Sequence, residues 1–296
     1  MDDMRRAPSL NVQDIGLKLE TILHKRYQIT SYLSMGQTSL IYLAYDKDSQ
    51  KEVVVKEFCP YAYANRDLDQ LTVICKGDSY TSQFHQMKEA FTQECAILKQ
   101  LTQRKDRGSE HIVPYLDSFS ENETVYLVMD YIKGIDLEDA LVTGGKLPFK
   151  KTIRQILKMV ECIHKAGILH LDLKPSNILI NEKQELVLID FGSARFMAQE
   201  VNQISFATKG YSAPELFTNQ SVSRATDVYS VGAMIYYFAT GHVPVSAMER
   251  LREDDLRAIS SYVKIPGMME HYVMKCLRLQ AVERPKSLKM LYYLFV

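Results

Sequence analysis

The sequence predicts an α+β chain of two lobes, a small β-rich one followed by a larger helical one. Three observations carry this. From Tyr27 the chain runs through short β-branched and aromatic segments parted by turn-prone residues. One main helical pattern follows near Phe84, and beyond Gly134 the apolar spacing is helical almost throughout. On this reading residues 1–26 are a lead-in, 27–131 the first lobe and 132–296 the second, the two lobes forming one domain.

In the lead-in, Ile15, Leu19, Ile22 and Leu23 fit one apolar face of a short helix, and an extended course fits equally. Strands are expected over residues 27–33, 40–45 and 52–58, divided by Ser34-Met35-Gly36 and Asp46-Lys47-Asp48-Ser49, which makes an antiparallel meander. Residues 59–83 read as irregular and polar. Phe91, Cys95, Leu98 and Leu101 lie at helical spacing, so a helix is expected over 84–102. Two strands, 112–119 and 124–131, close the first lobe across the turn Ser120-Glu121-Asn122-Glu123.

In the second lobe, Ile153, Ile156, Leu157, Val160 and Ile163 share a face of a long helix that Gly167 stops. A strand pair over 178–180 and 186–189 interrupts the helices. The apolar stretch 228–245 is broken by Ser230, Thr240 and His242 and holds Gly232, Gly241 and Pro244, so it suits a buried helix better than a membrane span. Leu291-Tyr292-Tyr293-Leu294-Phe295-Val296 reads as the last packed helix.

Composition narrows the function. Among 296 residues Lys+Arg and Asp+Glu each total 36, a zero net charge that argues against a nucleic-acid binder. The five cysteines, Cys59, Cys75, Cys95, Cys162 and Cys276, form no C-x-x-C pair and are odd in number, which suggests neither zinc nor a disulfide framework. A reducing, cytoplasmic compartment is expected. Residues 1–10 are polar, unlike a secretory signal.

The decisive stretch is His170-Leu171-Asp172-Leu173-Lys174-Pro175-Ser176-Asn177, followed by Asp190-Phe191-Gly192 and Ala213-Pro214-Glu215. With these motifs in this order the sequence resembles the protein-kinase family from Tyr27 to its end, in its serine/threonine form. The resemblance implies the two-lobed kinase fold and transfer of the γ-phosphate of Mg·ATP to a serine or threonine hydroxyl of a protein substrate. Such transfer needs the phosphate, the metals and the incoming hydroxyl held in line while charge is neutralised. Asp172 would accept or orient the hydroxyl proton, Lys174 would steady the transferring phosphate, and Asn177 and Asp190 would hold Mg²⁺, whose hardness suits oxygen ligands.

In the first lobe Val53-Val54-Val55-Lys56 looks like the family's strand bearing the ATP lysine, with Glu94 as the expected partner of Lys56. The ATP-binding set implied by the resemblance adds Ser34, Gly36, Ser39, Ile41, Val54, Met129 as gatekeeper, Asp130 and Ile132 at the hinge, and Leu179. Structural anchors are expected as well: Glu215 with Arg284, Asp227 capping the catalytic-loop backbone, His170 packed beneath Phe191, and Leu98, Tyr115, His170 and Phe191 stacked between the lobes.

Some positions depart from the pattern. The phosphate-covering G-x-G-x-x-G is here Ser34-Met35-Gly36-Gln37-Thr38-Ser39, which retains one glycine of a loop that exploits close approach and φ > 0. Leu171 replaces the arginine that normally pairs with a phosphorylated activation-loop residue, so phosphorylation at Ser205 or Thr208 is not expected to switch the protein. Thr208 matches a threonine that packs beside the catalytic loop. Lys56-Glu57-Phe58-Cys59-Pro60 and the insertion after it are similar to bacterial kinases. The insertion, within 57–90, reads as a contact for a regulatory partner or as surface elaboration.

Two other readings stand beside the kinase. A nucleotide-binding pseudokinase is suggested by the serine-substituted loop and opposed by Lys56, Glu94, Asp172, Asn177 and Asp190. A small-molecule phosphotransferase is opposed by Ala213-Pro214-Glu215, Asp227 and Arg284.

Overall fold

The computed structural model describes residues 15–143, 147–199, 208–218 and 220–295. They divide into two compact units, the chain up to Ala96 with Pro114–Tyr131, and Ile97–Val113 with the chain from Ile132 onward. Residues 97–113 thus go with the second unit, although they precede two strands of the first. Gln100 Nε2 donates to the Ala166 carbonyl at 3.0 Å, and Val113 N–H to that of Leu188 at 3.0 Å. At Gly108, φ 103°, a Cβ would meet the Lys158 carbonyl oxygen at 2.3 Å, so only glycine allows this approach.

The first unit is built on an antiparallel sheet. Its strands are β1 (Ile22–Leu23), β2 (Tyr27–Met35), β3 (Ser39–Asp46), β4 (Lys51–Phe58), β7 (Tyr115–Glu121) and β8 (Thr124–Asp130), in the order β1-β2-β3-β4-β8-β7. Alternate residues Tyr27, Ile29, Leu40, Tyr42, Ala44, Val53 and Val55 are buried, as the strand period requires. From Ile15, where the described residues begin, the lead-in takes the extended course. Leu17 and Leu23 are buried, Leu19 and Ile22 half exposed, and Glu20 N–H pairs with the Ile29 carbonyl at 2.8 Å.

Residues 59–83, expected to be irregular, contain the hairpin β5 (Ala64–Arg66) and β6 (Val73–Cys75). Three-residue strands give no readable alternation, and the Asp69 carboxylate accepts the Leu71 and Thr72 amides in the turn. Helix α1 (Thr81–Thr102) follows, with Phe84 and Phe91 against Phe58 at ring distances of 5.3 and 5.8 Å. The strand expected over 112–119 begins only at Tyr115. Pro114 has no N–H for the ladder, and Ile112 instead bridges to Leu188 in the second unit.

The second unit is mainly helical. Helix α2 (Leu137–Val142) follows β9 (Gly134–Asp136), and the Asp136 side chain caps it by accepting the Asp139 amide at 2.7 Å. Helix α3 (Phe149–Lys165) buries all five residues of its expected apolar face, and Gly167 past its end is left-handed, φ 75°. Two short strand groups follow: β10 (Ile168–Leu169) with β13 (Arg195–Phe196), and β9 with β11 (Ile178–Asn181) and β12 (Leu186–Leu188).

Helix α4 (Arg224–Thr240) begins with a capping box between Ser223 and Thr226, ends at left-handed Gly241, and is buried over residues 226–236. Gly232 lets it lie close to α6 (Gly267–Cys276), since a Cβ would sit 2.6 Å from that of Cys276. Between them α5 (Ala247–Arg250) is capped by Ser246 and Glu249, and α7 (Lys289–Leu294) buries Leu291 near the end. Among the described residues no helix is long and apolar enough to cross a membrane.

Candidate active site

In the first unit, Lys56 Nζ lies 2.6 Å from Glu94 Oε1, and both side chains are nearly excluded from water. Strand alternation turns Lys56 towards α1, where Phe91 sets its ring 5.9 Å from the ammonium. Ile41 is the register partner of Lys56, and Val54 stands between Leu43 and Met129. Met129 is buried, and the Asp130 amide donates to the Pro114 carbonyl at 3.0 Å.

Either side of the turn joining β2 to β3, Ser34 is exposed near the end of β2 and Ser39 is buried at the start of β3. Gly36 N–H donates to the Ser39 carbonyl at 2.8 Å. Gly36 is not among the positive-φ glycines, and a Cβ there would meet Ser39 Oγ at 3.5 Å and the Ser39 carbonyl oxygen at 3.6 Å, both ordinary contacts. Gly36 thus takes its place in the loop without using the positive φ that glycine permits.

In the second unit the turn at Pro175–Asn177 bends the chain back on Asp172. Asn177 Nδ2 donates to the Asp172 carbonyl at 2.8 Å and to Oδ2 at 3.1 Å. Lys174 Nζ is 2.8 Å from Asp172 Oδ2, and Thr208 Oγ donates to Oδ1 at 2.8 Å. Lys174 also donates to Thr208 Oγ at 3.1 Å, which closes a ring of three polar groups. Ser205 lies outside the described residues. Leu179 sits in β11 between Asp136 and Val187, and Ile132 is half buried outside any strand.

The backbone of this loop is strained and held from behind. Leu171 is left-handed at φ 67°, a conformation that costs a non-glycine residue about 1–2 kcal/mol. Wholly buried Asp227 accepts the Leu171 amide at 2.8 Å and the His170 amide at 3.0 Å. His164 Nε2 contacts the same carboxylate at 2.8 Å. Burial works against the Asp227 charge most strongly, but His164, by hydrogen bond and charge, and His170 together hold its pKa below the usual range. The sequence pointed to Asp227 and passed over His164, although its place one residue after Ile163 set it beside a buried face.

His170 is packed as expected, its ring 5.2 Å from Phe191, with Nε2 2.8 Å from the Asp190 carbonyl oxygen. Leu171 joins an apolar cluster with Leu169 and Leu216, flanked by Met197 and Val222. Further along, Glu215 and Arg284 form the expected pair.

The donors present suit a hard cation. Asn177 turns its amide nitrogen to Asp172, which leaves its carbonyl oxygen for a ligand, and Asp190 offers a carboxylate whose Oδ1 accepts the Gly192 amide at 3.2 Å. Both are oxygen ligands of the kind Mg²⁺ prefers.

A lysine–glutamate pair beneath a sheet, with an aspartate, lysine and asparagine on one loop, defines the kinase class. The model of the protein kinase domain matches residues 27–290, and the chain belongs to that family. It is 26% identical over 90% of its length to a probable serine/threonine-protein kinase of Clostridium perfringens, and 28% identical over 90% to serine/threonine-protein kinase D of Synechocystis. It spans 37% and 51% of those two proteins. The solved structure designated PpkA-294, in its apo form, shares the fold with a TM-score of 0.79 at 22% identity, covering 95% of this chain and 100% of that one.

Proposed function

We propose that this chain transfers the γ-phosphate of Mg·ATP to serine or threonine hydroxyls of a protein substrate. The observation that carries the reading is the ring of Asp172, Lys174 and Thr208, steadied by Asn177. A carboxylate held by three donors is fixed in place, so it meets an incoming hydroxyl without reorganising. Asp172 orients that hydroxyl and takes its proton as the oxygen bonds to the γ-phosphorus and the bond from that phosphorus to the β–γ bridging oxygen breaks, releasing ADP. Lys174, already beside Asp172, neutralises charge on the transferring phosphoryl group. Lys56, aligned by Glu94, binds the α- and β-phosphates. Mg²⁺, held by Asp190 and Asn177, would neutralise the β- and γ-phosphate oxygens. Ile41, Val54, Met129, Asp130, Ile132 and Leu179 would enclose adenine, with Ser34, Gly36 and Ser39 over the phosphates.

The same reading extends to control. With Leu171 in an apolar cluster, that position offers no cation to a phosphorylated activation segment. Activity is then independent of phosphate at Ser205.

The test is transfer from labelled Mg·ATP to a generic basic protein, with wild type beside Asp190→Asn. The reading expects phosphoserine or phosphothreonine with wild type, and loss of Mg-dependent ATP binding in the variant. ATP bound with no transfer under any metal condition would favour the pseudokinase.

A further inference from the structure

The residue after the ATP lysine points to the opposite face of the sheet and is fully buried: the carboxylate of Glu57. It takes four hydrogen bonds, from Tyr42 at 2.7 Å, Tyr126 at 3.0 Å, and Arg66 Nη1 and Nη2 at 3.0 and 2.7 Å. The two tyrosines come from β3 and β8, the strands on either side of β4, and the arginine comes from the inserted hairpin. One carboxylate thus pins three strands and the insertion together.

The lead-in is tied to the same point. Arg66 Nε donates to the Ile15 carbonyl at 2.8 Å. Leu17 N–H donates to Tyr42 Oη at 3.1 Å, and Tyr32 Oη to the Leu17 carbonyl at 2.7 Å. Burial first, and then Glu57, push the Tyr42 and Tyr126 hydroxyls well above their ordinary range, so both remain donors. Arg66 stays charged, because Glu57 outweighs the burial that opposes it.

A buried ion pair is poor evidence of stability, since apolar residues of like volume often replace one at no loss. What it supplies here is position. Adjacent residues of a strand advance about 3.3 Å, so a shift of Glu57 is a shift of Lys56. A displacement of about 1 Å at a reacting site can cost 10²-fold.

We propose that Glu57 and Arg66 are positioning residues for Lys56, and that residues 15–17, docked on them, belong to the same device. Through it, a change in how residues 15–17 are held reaches the ATP lysine. This rests on the reading of Lys56 as the phosphate-binding lysine.

The experiment compares the full chain with Arg66→Met and with Glu57→Gln/Arg66→Met, the second leaving no unpaired buried charge. Two quantities are read well below Tm, on protein shown to be folded. One is the rate at which an amine-acylating reagent labels Lys56 in nucleotide-free protein, site-resolved by mass spectrometry. The other is kcat/KM for ATP. The expected result is several-fold faster labelling in both variants, and kcat/KM lower by about 10- to 100-fold. Wild-type labelling in both folded variants would overturn the proposal, whatever their Tm. Lys56→Met separates the layers: if it abolishes transfer while Arg66→Met changes neither quantity, this inference alone fails. Unchanged transfer in Lys56→Met would remove the reading beneath it.

Discussion

Arg284 meets Glu215 through both prongs of its guanidinium, Nη1 to Oε1 at 2.7 Å and Nη2 to Oε2 at 2.9 Å, with both side chains buried. Its other N–H groups are used too, on the carbonyls of Ala225, Arg278 and Leu279. Thr226 Oγ adds a bond to Glu215 Oε1 at 2.8 Å. With all donors satisfied, the pair costs little to keep and much to break. It ties the turn Pro214–Leu216 to the start of α4 and to the chain near α7.

Arg284→Met is therefore expected to destabilise by about 3–5 kcal/mol, because it strands a buried carboxylate. Urea unfolding checks this. Glu215→Gln/Arg284→Met should recover part of the loss, and a double variant no more stable than the single one would contradict the argument.

Thr208 supplies one hydrogen bond to the Asp172 carboxylate. Thr208→Val should lower kcat by about 10- to 100-fold, the equivalent of about 1.5–3 kcal/mol for a bond to a charged group. ATP affinity should hold. Ser205→Glu, by contrast, should leave the rate within about twofold, since no cation at Leu171 reads a negative charge. Steady-state kinetics of both variants distinguish a positioning threonine from a phosphorylation switch.

Asp227 sets a pH dependence. Its folded pKa lies below the ordinary value of 3.8, so its contribution to stability is complete above that value. The contribution is lost as pH falls through the lower folded pKa. Asp227→Asn should reduce stability at neutral pH by about 1.5–3 kcal/mol, and the gap from wild type should narrow in acid. Unfolding free energies measured from pH 7 down to 3 test this; a gap constant with pH would contradict it.

Burial pushes the thiols of Cys59, Cys95 and Cys276 up to about 12, and that of Cys162 upward as well. Cys75 is partly exposed. At pH 8 a disulfide reagent should titrate one thiol quickly in native protein, at Cys75, and all five after unfolding. Fast reaction at Cys276 would mean that α6 is not packed on Gly232 as described.

Long or strongly patterned features were legible in the sequence. The apolar face of α3 follows from its spacing, the buried stretch of α4 from its apolar run, and β2 and β3 from β-branched and aromatic content beside turn-prone residues. Features that depend on contacts distant in sequence were not. Arg66 reads as an ordinary polar residue of an insertion, because nothing local says that Glu57 lies above it. The left-handed Leu171 breaks a local rule, and only Asp227, far along the chain, compensates. Ile112 carries strand propensity yet bridges to Leu188, since Pro114 interrupts the ladder it would have joined. At Gly36 the motif was legible but its usual conformational reason was not the one found.

The most direct test is γ-phosphate transfer from labelled Mg·ATP by wild type and Asp172→Asn, with ATP affinity measured on both. The account predicts incorporation by wild type, a loss of about 10²–10⁴-fold in the variant, and equal affinity. An Asp172→Asn rate equal to that of wild type would contradict the role given to Asp172, and with it the mechanism.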